Sequence, residues 1–208
     1  MHDHDSTTDV AREAFSRLLA ACYDTPGSDF DDARLFAPMT AAAAALDGAL
    51  GRQARRLRDA AIAEGAAHIA DEHRRLFGDG RQAVAACECA WLGAASRRAS
   101  LDAIAKLYDD AGFDIDDAHR PVPDHIGEEL RFLHLAIFRE NQALRIGTPD
   151  ECEAAQAIRE RLVDDHLSAW VGRFAQALRT AARLRYHREL ALVTERFVAL
   201  EASATAAA

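Results

Sequence analysis

Apolar side chains recur about every three to four residues along most of the chain, the spacing of a helical face turned toward a core. Thr8 and Asp9 can open a first helix with Val10, Ala14, Leu18 and Cys22 on one side, and Asp24-Thr25-Pro26-Gly27 stops it. A short helix over 31–36 precedes Pro38, and Ala42, Ala45, Leu46, Ala49, Leu50 and Leu57 mark one longer helix after it. Gly65 separates that helix from another over 66–77. Residues 78–100 are the least regular stretch and open on the loop signal Gly78-Asp79-Gly80. Leu101, Ile104, Tyr108 and Ala111 then define an amphipathic helix ended by Gly112. The stretch 113–122 reads as a connection with three aspartates and Pro121, and the loop over 112–122 is placed to hinge two parts of the molecule. Ile126, Leu130, Leu133 and Ile137 form the stripe of the next helix, which stops near Gly147. Thr148-Pro149-Asp150-Glu151 combines a cap, a first-turn proline and acids, and Ala154, Ile158 and Leu162 continue from it. Leu167, Trp170, Phe174 and Leu178 carry a further helix that could run on from this one, and Tyr186, Leu190, Val193, Phe197 and Leu200 form the last stripe.

These stripes and stops predict about eight to ten helices. The expected fold is all-α, one globular domain over residues 1–208 with flexible ends at 1–7 and 202–208. That is too many helices for a four-helix bundle, and the lack of a fixed-period repeat argues against a solenoid. Composition agrees: half of the 208 residues are hydrophobic. Alanine, the best helix former, is abundant, while the β-branched residues that favour strands are sparse.

Charge narrows the partners. Net charge is −9, from 34 acidic and 25 basic residues, and Lys106 is the sole lysine. An acidic surface repels phosphate backbones and anionic lipid, so neither nucleic acid nor membrane is expected as a partner. The four cysteines, Cys22, Cys87, Cys89 and Cys152, match no zinc or thioredoxin spacing and read as reduced thiols. The start, Met1-His2-Asp3-His4-Asp5, has no basic or apolar run and is not a secretory signal. These features together point to a cytoplasmic protein.

Little in the chain points to catalysis. His68 and Glu72 lie four apart, but His73 falls off that face and the HExxH arrangement is absent. No glutamate has a histidine three residues later, which removes the helical di-iron site. Cys87-Glu88-Cys89 lacks two further ligands for a closed metal site. No phosphate loop or nucleophile elbow occurs. No cofactor, metal or catalytic residue is therefore expected. Trp91 stands out because it lies in the irregular stretch, where a side chain could line a groove. Acidic pairs and clusters, Asp114-Ile115-Asp116-Asp117 and Asp164-Asp165, read as solvated faces or caps, or as an acidic rim for an arginine-bearing peptide.

The densest signal is Pro123-Asp124-His125-Ile126 followed by Glu129-Leu130-Arg131-Phe132, a turn feeding a helix. Asp124 could cap that helix or pair with arginine. Ahead of it stand Glu72-His73-Arg74-Arg75-Leu76-Phe77, then Glu88-Cys89-Ala90-Trp91-Leu92, then Leu107-Tyr108 with Gly112-Phe113. His166-Leu167 with Trp170, Tyr186 and Phe197 follow. In this order the motifs resemble the TorD/DmsD/NarJ family of molybdoenzyme chaperones over roughly 10–200. The resemblance implies an all-helical, non-enzymatic, cytoplasmic protein, monomer or dimer. It implies that the protein binds the twin-arginine signal peptide of a molybdopterin oxidoreductase precursor, in its apo form, until the cofactor is inserted. It assigns peptide binding to Leu76, Phe77, Trp91, Leu92, Asp124 and His125. A NarJ-like version would serve a subunit that is not exported. The chain departs from the family pattern at Ala85 and Ala86, where prolines are common, at Cys89, where serine is usual, and at Val122, where an acid is frequent. The rival readings are a metal- or nucleotide-dependent helical enzyme and a transcription regulator. The regulator would rest on Arg52, Arg55, Arg56 and Arg58 or on Arg179, Arg183, Arg185 and Arg188.

Overall fold

Nine α-helices make up most of the described chain, which is residues 2–78, 82–93, 95–113 and 122–205 of a computed structural model. In chain order they are α1 (His2–Ala21), α2 (Ala37–Leu46), α3 (Gly48–Glu64), α4 (Ala66–Phe77), α5 (Arg97–Asp110), α6 (Ile126–Ile146), α7 (Pro149–Arg161), α8 (Ser168–Ala181) and α9 (Arg185–Thr205). A π-helical turn, Asp32–Phe36, leads into α2, and a second, Leu162–Leu167, joins α7 to α8 without a break. The fold is all-α, as the periodicity predicts.

Packing runs in a circuit. α7 lies on α6, α6 on α1, α1 on α2, α2 on α3, α3 on α9 and α9 on α8. The core inside holds Phe15, Leu50, Leu57, Ile69, Phe132, Trp170, Phe174 and Phe197, each of them fully buried. A buried ion network ties the circuit together. Arg12 of α1 donates to both carboxylate oxygens of Glu201 on α9, at 3.0 and 2.8 Å, and Arg159 of α7 donates to Glu140 of α6 at 3.0 Å.

Two boundaries differ from the sequence reading. The single helix expected through Ala42–Leu57 is two, because Asp47 takes an extended conformation and its carboxylate accepts the N–H groups of Ala49 and Leu50 to cap α3. Gly51 then allows α3 to close on α2, since a Cβ there would sit 2.8 Å from Ala44 Cα. Helix α1 starts at His2, ahead of Thr8 and Asp9. Gly65 and Gly147 end their helices with φ of 76° and 81°, conformations open to glycine at little cost. The expected hinge over 112–122, its acids Asp114, Asp116 and Asp117, and the Asp79-Gly80 loop lie largely or wholly outside the described residues. Among the described residues no helix is long and apolar enough to cross a membrane.

Candidate functional site

The irregular stretch around Trp91 has no helix to position it, so directional bonds must. They come from the turn before α6. Cys87 and His125 form an isolated antiparallel bridge. Glu88 N–H donates to Asp124 O at 2.9 Å, and Ile126 N–H to Ala86 O at 2.8 Å. The Asp124 carboxylate accepts from Cys89 N–H at 2.8 Å, and Arg97 of α5 donates to Cys89 O at 3.0 Å. From below, the Tyr108 hydroxyl donates to Pro123 O at 3.0 Å. A single 3₁₀ turn, Glu88–Ala90, then delivers Trp91, whose indole N–H donates to Ala85 O at 3.0 Å.

Beneath this seam lies a buried acid nest. The ring of His166 bonds to the Glu88 carboxylate at 2.9 Å. Trp170 donates to Glu129 Oε2 at 3.2 Å, while Glu129 Oε1 has no hydrogen-bond partner. Glu129 is fully buried, and desolvation followed by repulsion from Glu88 and Asp124 raises its pKa well above the usual carboxylate range. Burial first, then the nearby Asp124, pushes the Cys87 thiol to about 12 and the Cys89 thiol to about 11. Both sulfurs stay protonated and are poor nucleophiles.

Above the seam, Trp91 and Phe77 are both half-buried and flank the same ring. Their centroids lie 6.3 and 6.4 Å from that of Phe174. His73, one turn before Phe77 on α4, stacks edge-on against it at 5.1 Å, and Tyr23 approaches Phe77 at 6.4 Å. Below lies His187, fully buried, with neither ring nitrogen bonded. Burial lowers its pKa to about 4, so the ring is neutral.

The residues singled out from the sequence fall into two layers. Phe77, Trp91, Leu92 and His125 are half-buried and reach the surface. Leu76 is 0 % exposed and Asp124 only 2 %. Asp124 neither caps α6 nor faces solvent as an arginine partner, because its carboxylate is committed to Cys89 N–H. His125 caps α6 instead, accepting Gly127 N–H on Nδ1 at 3.1 Å. Glu72 is spent on Arg75 and on the backbone N–H of Arg183, which ties α4 to the α8–α9 turn. The sequence reading did not mark Glu88, Glu129, His166 and Trp170 as a unit. Their signal was present, as polar or amphipathic residues embedded in apolar stripes. Phe174, His187 and Tyr23 carried none, since they resemble any other core residue.

The candidate site is thus a bridged loop-and-turn seam beside the half-buried rings of Phe77 and Trp91. The family model described as nitrate reductase delta subunit matches residues 43–176, and the chain belongs to that family, whose members are maturation chaperones of molybdoenzymes and not enzymes. The matched span includes Leu76, Phe77, Trp91, Asp124 and His125. No curated protein and no solved structure matches the chain.

Proposed function

We propose that this protein is a cytoplasmic chaperone that binds the N-terminal twin-arginine signal peptide of a molybdopterin oxidoreductase precursor and keeps it from export until the cofactor is inserted. What carries the reading is that Phe77 and Trp91, from separate elements, both pack against Phe174 while staying only half-buried. The apolar middle of a signal peptide can lay one helical face on such a surface. Leu92 and His125 extend the surface, while Leu76 and Asp124 act from beneath as positioning residues. Phe77→Ala and Trp91→Ala should each weaken binding of a labelled leader peptide by about tenfold or more, as expected for a central aromatic anchor. Unchanged affinity in both variants refutes the site.

The description of the matched family favours a second version, in which the client is a nitrate-reductase-type subunit that stays inside the cell and the same surface holds its N-terminal segment. Pull-down with the client's leader present or deleted separates the two. Dependence on a twin-arginine leader supports the first, and capture of a leaderless subunit supports the second.

A further inference from the structure

With Asp124 buried, an arginine-bearing peptide needs another carboxylate at this surface, and the end of α1 supplies it. Just past Ala21 the chain turns through Asp24–Phe30 and walls a cleft of about 440 Å³. Leu18, Pro26, Phe30 and Leu35 form its apolar sides, and Arg17, Asp24, Asp29 and Arg34 its charged rim. Asp24 at its rim is close to the aromatic residues: its chain neighbour Tyr23 packs on Phe77, and Asp24 lies within electrostatic reach of His73, which stacks on Phe77.

The rim itself holds two arginines and two aspartates, and counting their ion-pair partners Asp31, Arg131 and Glu128 gives four carboxylates to three guanidiniums. Arg131 of α6 is shared between Asp24 and the buried Glu128, so two carboxylates divide one guanidinium. Arg34 is likewise shared between Asp29 and Asp31. Arg17 is the remaining guanidinium at the rim. The Asp24 side chain remains 49 % exposed. The cleft also lies at the C-terminal end of the 20-residue α1, where the helix dipole favours cations.

We infer that this cleft receives an arginine of the same peptide whose apolar stretch lies on Phe77 and Trp91, with Asp24 as the specificity-determining carboxylate. The inference rests on the docking reading above. The methylene stem of arginine would lie along Phe30 and Pro26. Its guanidinium would form charge-assisted bonds to Asp24, while Arg131 keeps Glu128.

Fluorescence anisotropy with the full chain tests it, using two synthetic labelled peptides. One has two adjacent arginines ahead of an alanine- and leucine-rich helical stretch, and the other has two glutamines in their place. The intact protein should prefer the arginine peptide by about tenfold. Asp24→Asn should abolish that preference and leave affinity for the glutamine peptide unchanged. Arg17→Gln, at an exposed site, should enlarge the preference by about two- to threefold. Phe77→Ala should weaken both peptides alike. No preference in the intact protein, or a full preference retained in Asp24→Asn with an unaltered melting curve, overturns the assignment of the cleft. Indifference of both peptides to Phe77→Ala and Trp91→Ala overturns instead the docking surface on which it stands.

Discussion

The two ends of the aromatic surface are built on opposite principles. Trp91 stands on a stretch whose described residues include one 3₁₀ turn, and it is held by backbone and carboxylate bonds to the 122–126 turn over a nest of buried acids. Phe77 stands on the last turn of α4 and rests on rings, one of them the unbonded His187. A helix delivers its side chains without outside help, because its backbone bonds are internal. A loop has no such internal frame, so its buried N–H and C=O groups need partners that also fix its position. The polar residues clustered under Trp91 are therefore the framework of the site, and the apolar packing under Phe77 tolerates a polar misfit because α4 already sets the position.

The sharpest way to break this contrast is Glu88→Ala. It leaves the buried His166 ring without its carboxylate and opens a gap under the seam. Stability should fall by about 3 kcal/mol, a drop in Tm of about 6–12 °C at this chain length. Peptide affinity should fall with it, since Trp91 loses its seat. A melt within a degree or two of the parent's would show that the seam does not depend on the nest. A smaller effect separates charge from shape. Burial raises the folded pKa of Glu129 above its unfolded value, so the native state binds more protons than the unfolded one above the ordinary carboxylate pKa. Its contribution is complete below that pKa and is lost as pH rises through the raised folded value. The slope for one proton is at most about 1.4 kcal/mol per pH unit. Glu129→Gln keeps an oxygen for Trp170 and should flatten the loss of stability between mildly acidic and mildly alkaline buffers, as measured by urea unfolding at each pH. An unchanged slope would show that another group carries it.

Local pattern made some of this legible. The α6 stripe Ile126, Leu130, Leu133 and Ile137 is wholly buried, and the cap signals at 148–151 mark the start of α7. Where a helix has neighbours on more than one side the reading shifts. On α1 the buried face is Ala11, Phe15, Leu18 and Leu19, while Val10 is 55 % exposed. The break at Asp47 was hidden because alanines and leucines on either side keep the same period across it. In the site, the motif positions were legible but their division of labour was not. Asp124 reads equally as cap and cation partner, and only the strand-like approach of 86–89, some 35 residues away, assigns its carboxylate. Pairings of that kind, and the convergence of Tyr23, Phe77, Trp91 and Phe174, are set by chain topology, which local periodicity does not encode.

His187→Leu tests the other end and should have the smallest effect, with the opposite sign. An imidazole buried with both nitrogens unbonded forfeits hydration and recovers nothing, so an apolar side chain of similar bulk should stabilise the fold by about 1 kcal/mol. The acid limb should change as well. The ring faces His73, Glu72 and Arg75, and its folded pKa of about 4 lies below the ordinary imidazole value of 6.5. The native state thus holds fewer protons than the unfolded chain between these values, and stability drains away as pH falls from about 6.5 through 4. His187→Leu should make that limb shallower while leaving the Trp91 end, and its response to Glu88→Ala, untouched. If the variant is destabilised at neutral pH, or if its acid limb is as steep as the parent's, then His187 has a partner in solution and the two ends are more alike than their packing suggests.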